Sequence, residues 1–141
     1  MWFAFAIFAA ILWGFNYALT EKIVNSISPA TLLAMEMLIG SVLFSGISYF
    51  TTMKKDVELL STNSNLLLLT LAEVVIVLIA SYFIVTSITL KNATTAGIVE
   101  LTYPLFTMVF TWFLFNQVHI NLSVIIGGLF ILGGVLVISF A

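Results

Sequence analysis

Cysteine and arginine are absent from this 141-residue chain, and charged residues of either sign are scarce. Without cysteine there is no disulfide, no thiol nucleophile and no thiolate metal site. The single histidine, His119, excludes a metal site built from several histidines. We therefore expect neither a resident metal nor a cofactor.

Charge is too sparse for a water-facing surface. Charged residues make up 7% of the chain, against about 25% in soluble domains. The net charge of −2 leaves no basic face for nucleic acid. No paired nucleophile and base are evident, so we expect no enzymatic activity.

Long apolar runs take up most of the chain, and hydrophobic residues reach 62%. A bilayer core needs about 20 apolar residues per helix, and we predict spans at 2–20, 30–51, 66–89, 93–115 and 121–141. Uniformly apolar spans of this length fit helices and not barrel strands. The first run lacks a basic leader region, so we expect a retained helix and not a signal peptide. The sequence predicts an all-α membrane protein, one domain over 1–141 with five transmembrane helices.

Polar clusters mark short connections, and the longest of them, at 52–65, is predicted to be a loop. Five spans place Lys22 and Lys91 on one side of the membrane and Lys54 and Lys55 on the other. The two-to-two tie favours neither orientation under the positive-inside rule. Either the tie is chance and the α-amino group orients the chain, or copies insert both ways and pair antiparallel.

Glu100 is the strongest candidate for a functional site. At about 100° per residue, it shares one stripe with Tyr103, Thr107 and Thr111. Pro104 cannot donate a backbone hydrogen bond, which predicts a kink beside Glu100. A charge near the bilayer centre costs roughly 2.5–3.5 kcal/mol on insertion scales. The carboxyl is therefore protonated, hydrated or bound to a cation, each of which can couple to transport. The alternative is a structural hydrogen bond between helices.

Two further spans each contain a glutamate. Glu73 shares a helical face with Thr70, Ser81 and Ser87, so it either lines the same cavity or is solvated near the membrane surface. Glu36 has apolar helical neighbours, which suit a packed hydrogen bond as well as a gate. Both are candidates for coupling or substrate binding.

The first span carries an aromatic face made of Trp13, Asn16 and Tyr17, at i, i+3 and i+4 spacing. Aromatic rings beside a carboxylate can hold an organic cation. Ordinary packing, with Tyr17 at the membrane interface, is the alternative.

The last span carries four glycines that we interpret as a helix-packing face and not as a site. Gly127 and Gly134 lie seven residues apart on one side, and Gly128 and Gly133 broaden it. Small residues let helices approach closely in lipid.

The order of five short motifs resembles the EamA domain of the drug/metabolite transporter superfamily. The motifs are LWGFN at 12–16, SPATLLA at 28–34, ATTAG at 93–97, LTYPLF at 101–106 and IGGLFILGGV at 126–135. Two positions differ from the family pattern. Glu36 stands where members often carry arginine, and 116–119 lacks the usual acidic residue.

The resemblance implies a multi-pass carrier of small metabolites or drugs, expected in a prokaryotic inner membrane. Such carriers usually join two inverted five-helix units in one chain, whereas this chain has one unit. The related small multidrug resistance proteins are antiparallel homodimers, and an analogous homodimer is expected here. The reversed charge at Glu36 means that the substrate class does not carry over.

Two functions from different classes follow. The first is a proton-coupled secondary carrier that works as an antiparallel homodimer by alternating access. The second is a non-transporting membrane subunit whose glutamates are structural. Polar stripes that face each other on several helices would favour the carrier.

Overall fold

The computed structural model describes residues 1–118 and 121–140, so His119 lies outside the described residues. It contains the helices α1 (Trp2–Ile23), α2 (Pro29–Thr51), α3 (Met53–Thr62), α4 (Ser64–Leu90), α5 (Ala93–Glu100), α6 (Tyr103–Phe115) and α7 (Leu122–Ser139). Five segments are long and apolar enough to cross a membrane, namely α1, α2, α4, α5 with α6, and α7. The predicted all-α fold with five transmembrane helices is confirmed.

Short polar side chains set the starts of four helices. Ser28, Asn63, Asn92 and Asn121 each accept a hydrogen bond of 2.7–3.2 Å from the backbone N–H three residues later. A cap of this kind stabilises a helix by about 1 kcal/mol. These residues therefore fix where the chain enters α2, α4, α5 and α7.

The connection predicted as a loop at 52–65 contains a helix, α3, so that prediction was wrong. One side of α3 carries Met53, Val57 and Leu60, and the other carries Lys54, Lys55 and Glu58. Its charges suggested a loop, but their spacing gives an amphipathic helix. α3 packs against α2 and α4.

Helix α4 is central, since it contacts α1, α2, α3 and α5. The small core lies where α1, α4 and α5 meet and consists of Ile88, Ala93 and Ala96. Most other large apolar side chains are exposed on the single chain. Lipid is as apolar as these side chains, so a membrane protein does not need to bury them.

The fourth span is broken at Leu101 and Thr102, between α5 and α6. The Thr102 N–H bonds the Val99 carbonyl at 3.2 Å, and the Leu105 N–H bonds the Thr102 carbonyl at 3.0 Å. Both bonds reach back three residues instead of four, as in a 3₁₀ turn. Pro104 lies in the first turn of α6, where its missing N–H is tolerated. α5 is thus a separate two-turn helix.

Candidate functional site

Helices α1 and α5 lie side by side in an antiparallel register. Tyr17 meets Gly97 and Glu100, and Glu21, one turn further along α1, meets Ala93. The same register places Trp13, one turn before Tyr17, at the level of the break after α5. We call this line of contacts the α1–α5 seam.

The main polar contact of the seam joins Tyr17 to Glu100. The Tyr17 hydroxyl donates a hydrogen bond to the Glu100 carboxylate, and both side chains are half-buried. Among the described residues no ion pair reaches this carboxylate. A tyrosine hydroxyl therefore takes the place that a cationic side chain would otherwise fill for an acid within the membrane.

Gly97 makes room for Tyr17. A β-carbon at position 97 would lie 3.2 Å from Tyr17 Cδ2 and 3.3 Å from Cε2. The missing side chain lets the Cδ2–Cε2 edge of the ring come close to α5, one turn before Glu100. This close approach brings the hydroxyl within hydrogen-bonding reach of the carboxylate.

Trp13 extends the aromatic surface of α1. Its ring meets that of Tyr17 edge to face, with centroids 5.8 Å apart and planes at 71°. Trp13 is 61% exposed, whereas Asn16 is half-buried. The face predicted from Trp13, Asn16 and Tyr17 thus contains one residue, Tyr17, that the structure joins directly to Glu100.

A second polar contact closes the other end of the seam. Glu21 Oε2 accepts a hydrogen bond of 2.7 Å from the Ala93 N–H at the first residue of α5. The first N–H groups of a helix lack partners within the helix, and a carboxylate suits them electrostatically. The predicted first span ends at residue 20, so Glu21 was expected in the connection that follows it and not at a site. An acidic residue near the end of α1 was the only sequence signal for this contact. Its pairing with Ala93 depends on the register of α1 against α5, which the sequence alone does not give.

Other contributors were also missed. Gly97 was not proposed as a site residue, although it ends the ATTAG motif at 93–97 and lies one turn before Glu100. The Thr86 hydroxyl on α4 is buried without a hydrogen-bond partner among the described residues.

The polar stripe expected around Glu100 is divided by the break. Glu100 is the last residue of α5, while Tyr103 and Thr107 belong to α6. Thr107 Oγ1 donates to the Tyr103 carbonyl at 3.0 Å, so its hydroxyl is satisfied within its own helix. Tyr103 is 62% exposed. The structure does not join either side chain to Glu100.

Glu36 and Glu73 stand apart from the seam. Both are exposed, and neither carboxylate forms a hydrogen bond or an ion pair within residues 1–118 and 121–140. At about 1.5 Å per residue, Glu36 and Glu100 each lie about 10 Å from the starts of α2 and α5, on the same side. Glu73 lies about 25 Å along α4 from Leu90, about 15 Å farther from that side than Glu100. The structure brings neither of them to Tyr17.

The four glycines of α7 have two different surroundings. A β-carbon at Gly128 would lie 2.6 Å from Leu105 Cδ2, so Gly128 packs against α6 within the chain. Gly127, Gly133 and Gly134 have no neighbouring atoms within 4 Å of such a carbon. These three remain open for contact with another helix.

Two apolar grooves lie between α6 and α7, with volumes of about 420 and 240 Å³. Leu105, Met108 and Gly128 line both. Neither groove reaches Glu100 or Tyr17, and their linings carry no charged side chain. We therefore place the candidate site at the α1–α5 seam.

Comparison with known proteins identifies the family. The model of the EamA-like transporter family matches residues 1–140. The search of curated proteins gave no match, and neither did the search of solved structures. The match covers almost the whole chain, and the five apolar helices have the form of an integral, multi-pass membrane protein. The chain belongs to the EamA-like transporter family.

Proposed function

We propose that this protein is a secondary carrier of small metabolites or drugs, coupled to proton movement through Glu100. The observation that carries the proposal is the hydrogen bond from Tyr17 to the Glu100 carboxylate inside the membrane-spanning region. Glu36 and Glu73 have no such partner among the described residues. Of these three glutamates, Glu100 is therefore the one that the fold places against a hydrogen-bond donor from another helix.

The chemistry of coupling follows from the state of one carboxyl group. An acid within a membrane segment needs a proton, a hydrogen-bond donor or a cation. Tyr17 supplies a hydrogen-bond donor. This donor stabilises the ionised Glu100 carboxylate in the interval between release of a proton and binding of a cation. A proton and a cationic substrate then compete for Glu100, and their alternation couples the two movements.

The aromatic side chains favour cationic substrates. Tyr17 bonds the carboxylate and the Trp13 ring packs against the Tyr17 ring. Ring quadrupoles attract ammonium and other organic cations. Such a contact contributes about 0.5–2 kcal/mol, depending on desolvation. Trp13 is exposed enough to meet a ligand directly.

The proposed working unit is an antiparallel homodimer that moves by alternating access. Transporters of inverted-repeat design place their site between two oppositely oriented units, and this chain contains one unit of five helices. The lysine tie permits insertion in both directions. The open glycines of α7 offer a surface for a second copy.

A non-transporting membrane subunit is the second candidate, and the same hydrogen bond favours it. A Tyr17 to Glu100 contact across two helices is also what interhelical stabilisation requires, at about 0.6 kcal/mol on average. The two functions predict different results for a Glu100 variant that cannot ionise: a carrier loses proton-coupled uptake, whereas a structural subunit has none to lose.

Uptake into proteoliposomes distinguishes the carrier from the non-transporting subunit. Wild type, Glu100→Gln and the matched control Glu73→Gln are compared with a panel of small organic cations under imposed pH gradients. The glutamine Oε1 still accepts a hydrogen bond from the Tyr17 hydroxyl, so the fold is retained. The amide, however, cannot bind and release a proton as the carboxyl group does. We expect gradient-driven uptake by wild type and Glu73→Gln, and none by Glu100→Gln. Equal uptake by all three contradicts a coupling role for Glu100.

A further inference from the structure

Helix α5 is held on α1 at both of its ends. Tyr17 bonds Glu100 at its last residue, and Glu21 bonds the Ala93 N–H at its first. These contacts lie seven residues apart, about 10 Å along the helix. Between them, the buried face of α5 carries only small residues: Ala93, Ala96 and Gly97.

The chain on either side of α5 is not helical in the α sense. Asn92, before the helix, is fully extended, with φ −176° and ψ 164°. After it, Leu101 and Thr102 form the 3₁₀ turn. Few dihedral angles therefore need to change for α5 to move as a rigid unit, which is how hinges commonly work.

The small side chains of α5 meet two larger ones, Tyr17 of α1 and Val24 directly after it, which pack against the small core. On the α5 side, alanine and glycine resist sliding less than large side chains, which would have to leave their packed positions. The two hydrogen bonds are the directional polar restraints of the α1–α5 seam. Glu21 is exposed and lies near the end of α1, so water can replace it, whereas Tyr17 and Glu100 are half-buried.

We propose that Glu21 is a positioning residue that latches the first turn of α5 onto α1. Release of its bond to the Ala93 N–H lets α5 move away from α1 about the 101–102 turn. This movement opens a route from the side of the 24–28 connection to Glu100. The role as an access gate rests on the transport function proposed above, whereas the latch itself can be tested without transport.

The absence of native cysteine makes the test direct. Ala96→Cys places the only thiol of the chain within the seam, where Ala96 is 5% exposed. Thr94→Cys places a control thiol on the exposed side of the same helix. The alkylation rate of each thiol by N-ethylmaleimide is measured in the purified protein, with no substrate and no gradient.

Each thiol is combined with Glu21→Ala and, separately, with Glu21→Gln. The alanine removes the acceptor, while the glutamine Oε1 still accepts from Ala93. We expect Glu21→Ala to raise labelling of Cys at 96 by about tenfold, the loss expected for one charge-assisted hydrogen bond. Glu21→Gln should raise the rate much less, because its amide oxygen keeps the bond without the charge, and the control thiol should not respond.

Three results would overturn the latch. They are labelling at 96 that Glu21→Ala leaves unchanged, labelling at 96 that Glu21→Gln raises as much as Glu21→Ala does, and an equal rise in labelling at position 94. If Glu21→Ala does not yield folded protein, Glu21→Asp shortens the reach by one methylene and has to raise labelling at 96. Because the assay needs no substrate, its outcome is independent of whether Glu100 couples transport.

Discussion

The ring of Tyr17 lies against Gly97, with Cδ2 3.2 Å from the position that a β-carbon there would occupy. Real β-carbon contacts are seldom this close, so any side chain at 97 has to push the ring outward. The Tyr17 hydroxyl bonds Glu100, one turn away on the same helix. The smallness of Gly97 therefore determines whether the candidate site forms.

Gly97→Ala should weaken the Tyr17 to Glu100 contact while leaving the fold intact. The added methyl group displaces the ring by a few tenths of an ångström, and a hydrogen bond to a charged group is worth about 1.5–3 kcal/mol. We expect gradient-driven uptake to fall about tenfold. Gly14→Ala is the matched control, since a β-carbon there meets no atom within 4 Å. An equal loss in both variants would show that the ring position does not matter.

Tyr17→Phe should separate the ring from its hydroxyl. Phenylalanine keeps the packing on Gly97 and the edge contact with Trp13, but it cannot donate to Glu100. We expect a folded protein that binds organic cations more weakly, because the ionised carboxylate loses its hydrogen-bond donor. Affinity is measured at one fixed pH, with Tyr82→Phe on α4 as the control. Unchanged affinity in Tyr17→Phe would remove the hydroxyl from the mechanism.

Sequence patterns located the five spans because length and hydropathy alone decide which segments cross a membrane. They failed at 52–65, where the spacing of Met53, Val57 and Leu60 indicates a helix but the clustered charges indicate a loop. Pro104 pointed to a kink, and the structure has its break two residues before that proline.

The candidate site was only partly predictable. Glu100 and Tyr17 were both proposed from local spacing, yet their contact depends on the antiparallel register of α1 against α5. That register results from packing around Ala93, Ala96 and Gly97, which no local pattern encodes. The same reason explains why Glu21 was missed as a partner of Ala93.

The open glycines of α7 should support self-association. Gly127→Leu with Gly134→Leu adds bulk at two positions where a β-carbon would meet no atom within 4 Å, so it should weaken the oligomer in detergent without unfolding the protomer. Gly128→Leu should instead lower thermal stability, because its side chain meets Leu105. Sedimentation and thermal unfolding distinguish the two effects. A double variant that stays oligomeric with wild-type stability would contradict this interface.

The lysine tie predicts two orientations in the membrane. A reporter fused to the C-terminus of the wild type should be found on both sides of the membrane. Two lysines added to the 116–122 connection should hold that connection in the cytoplasm. The fixed form should be inactive alone, because the proposed antiparallel dimer needs an inverted copy to complete its cavity.

Co-expression provides the complementary test of antiparallel pairing. The opposite bias is made by Lys54→Ala with Lys55→Ala and two lysines added near residue 91. We expect this form to restore activity to the fixed variant. A single orientation in the wild type, together with full activity of the fixed variant alone, would contradict the antiparallel dimer.

Proton movement driven by substrate tests the central claim most directly. Proteoliposomes that enclose a pH-sensitive dye are given a gradient of a compound that the wild type accumulates, with no initial pH difference. The account predicts that wild type and Glu73→Gln move protons as the compound crosses, and that Glu100→Gln moves none. Proton flux of wild-type size in Glu100→Gln would contradict it.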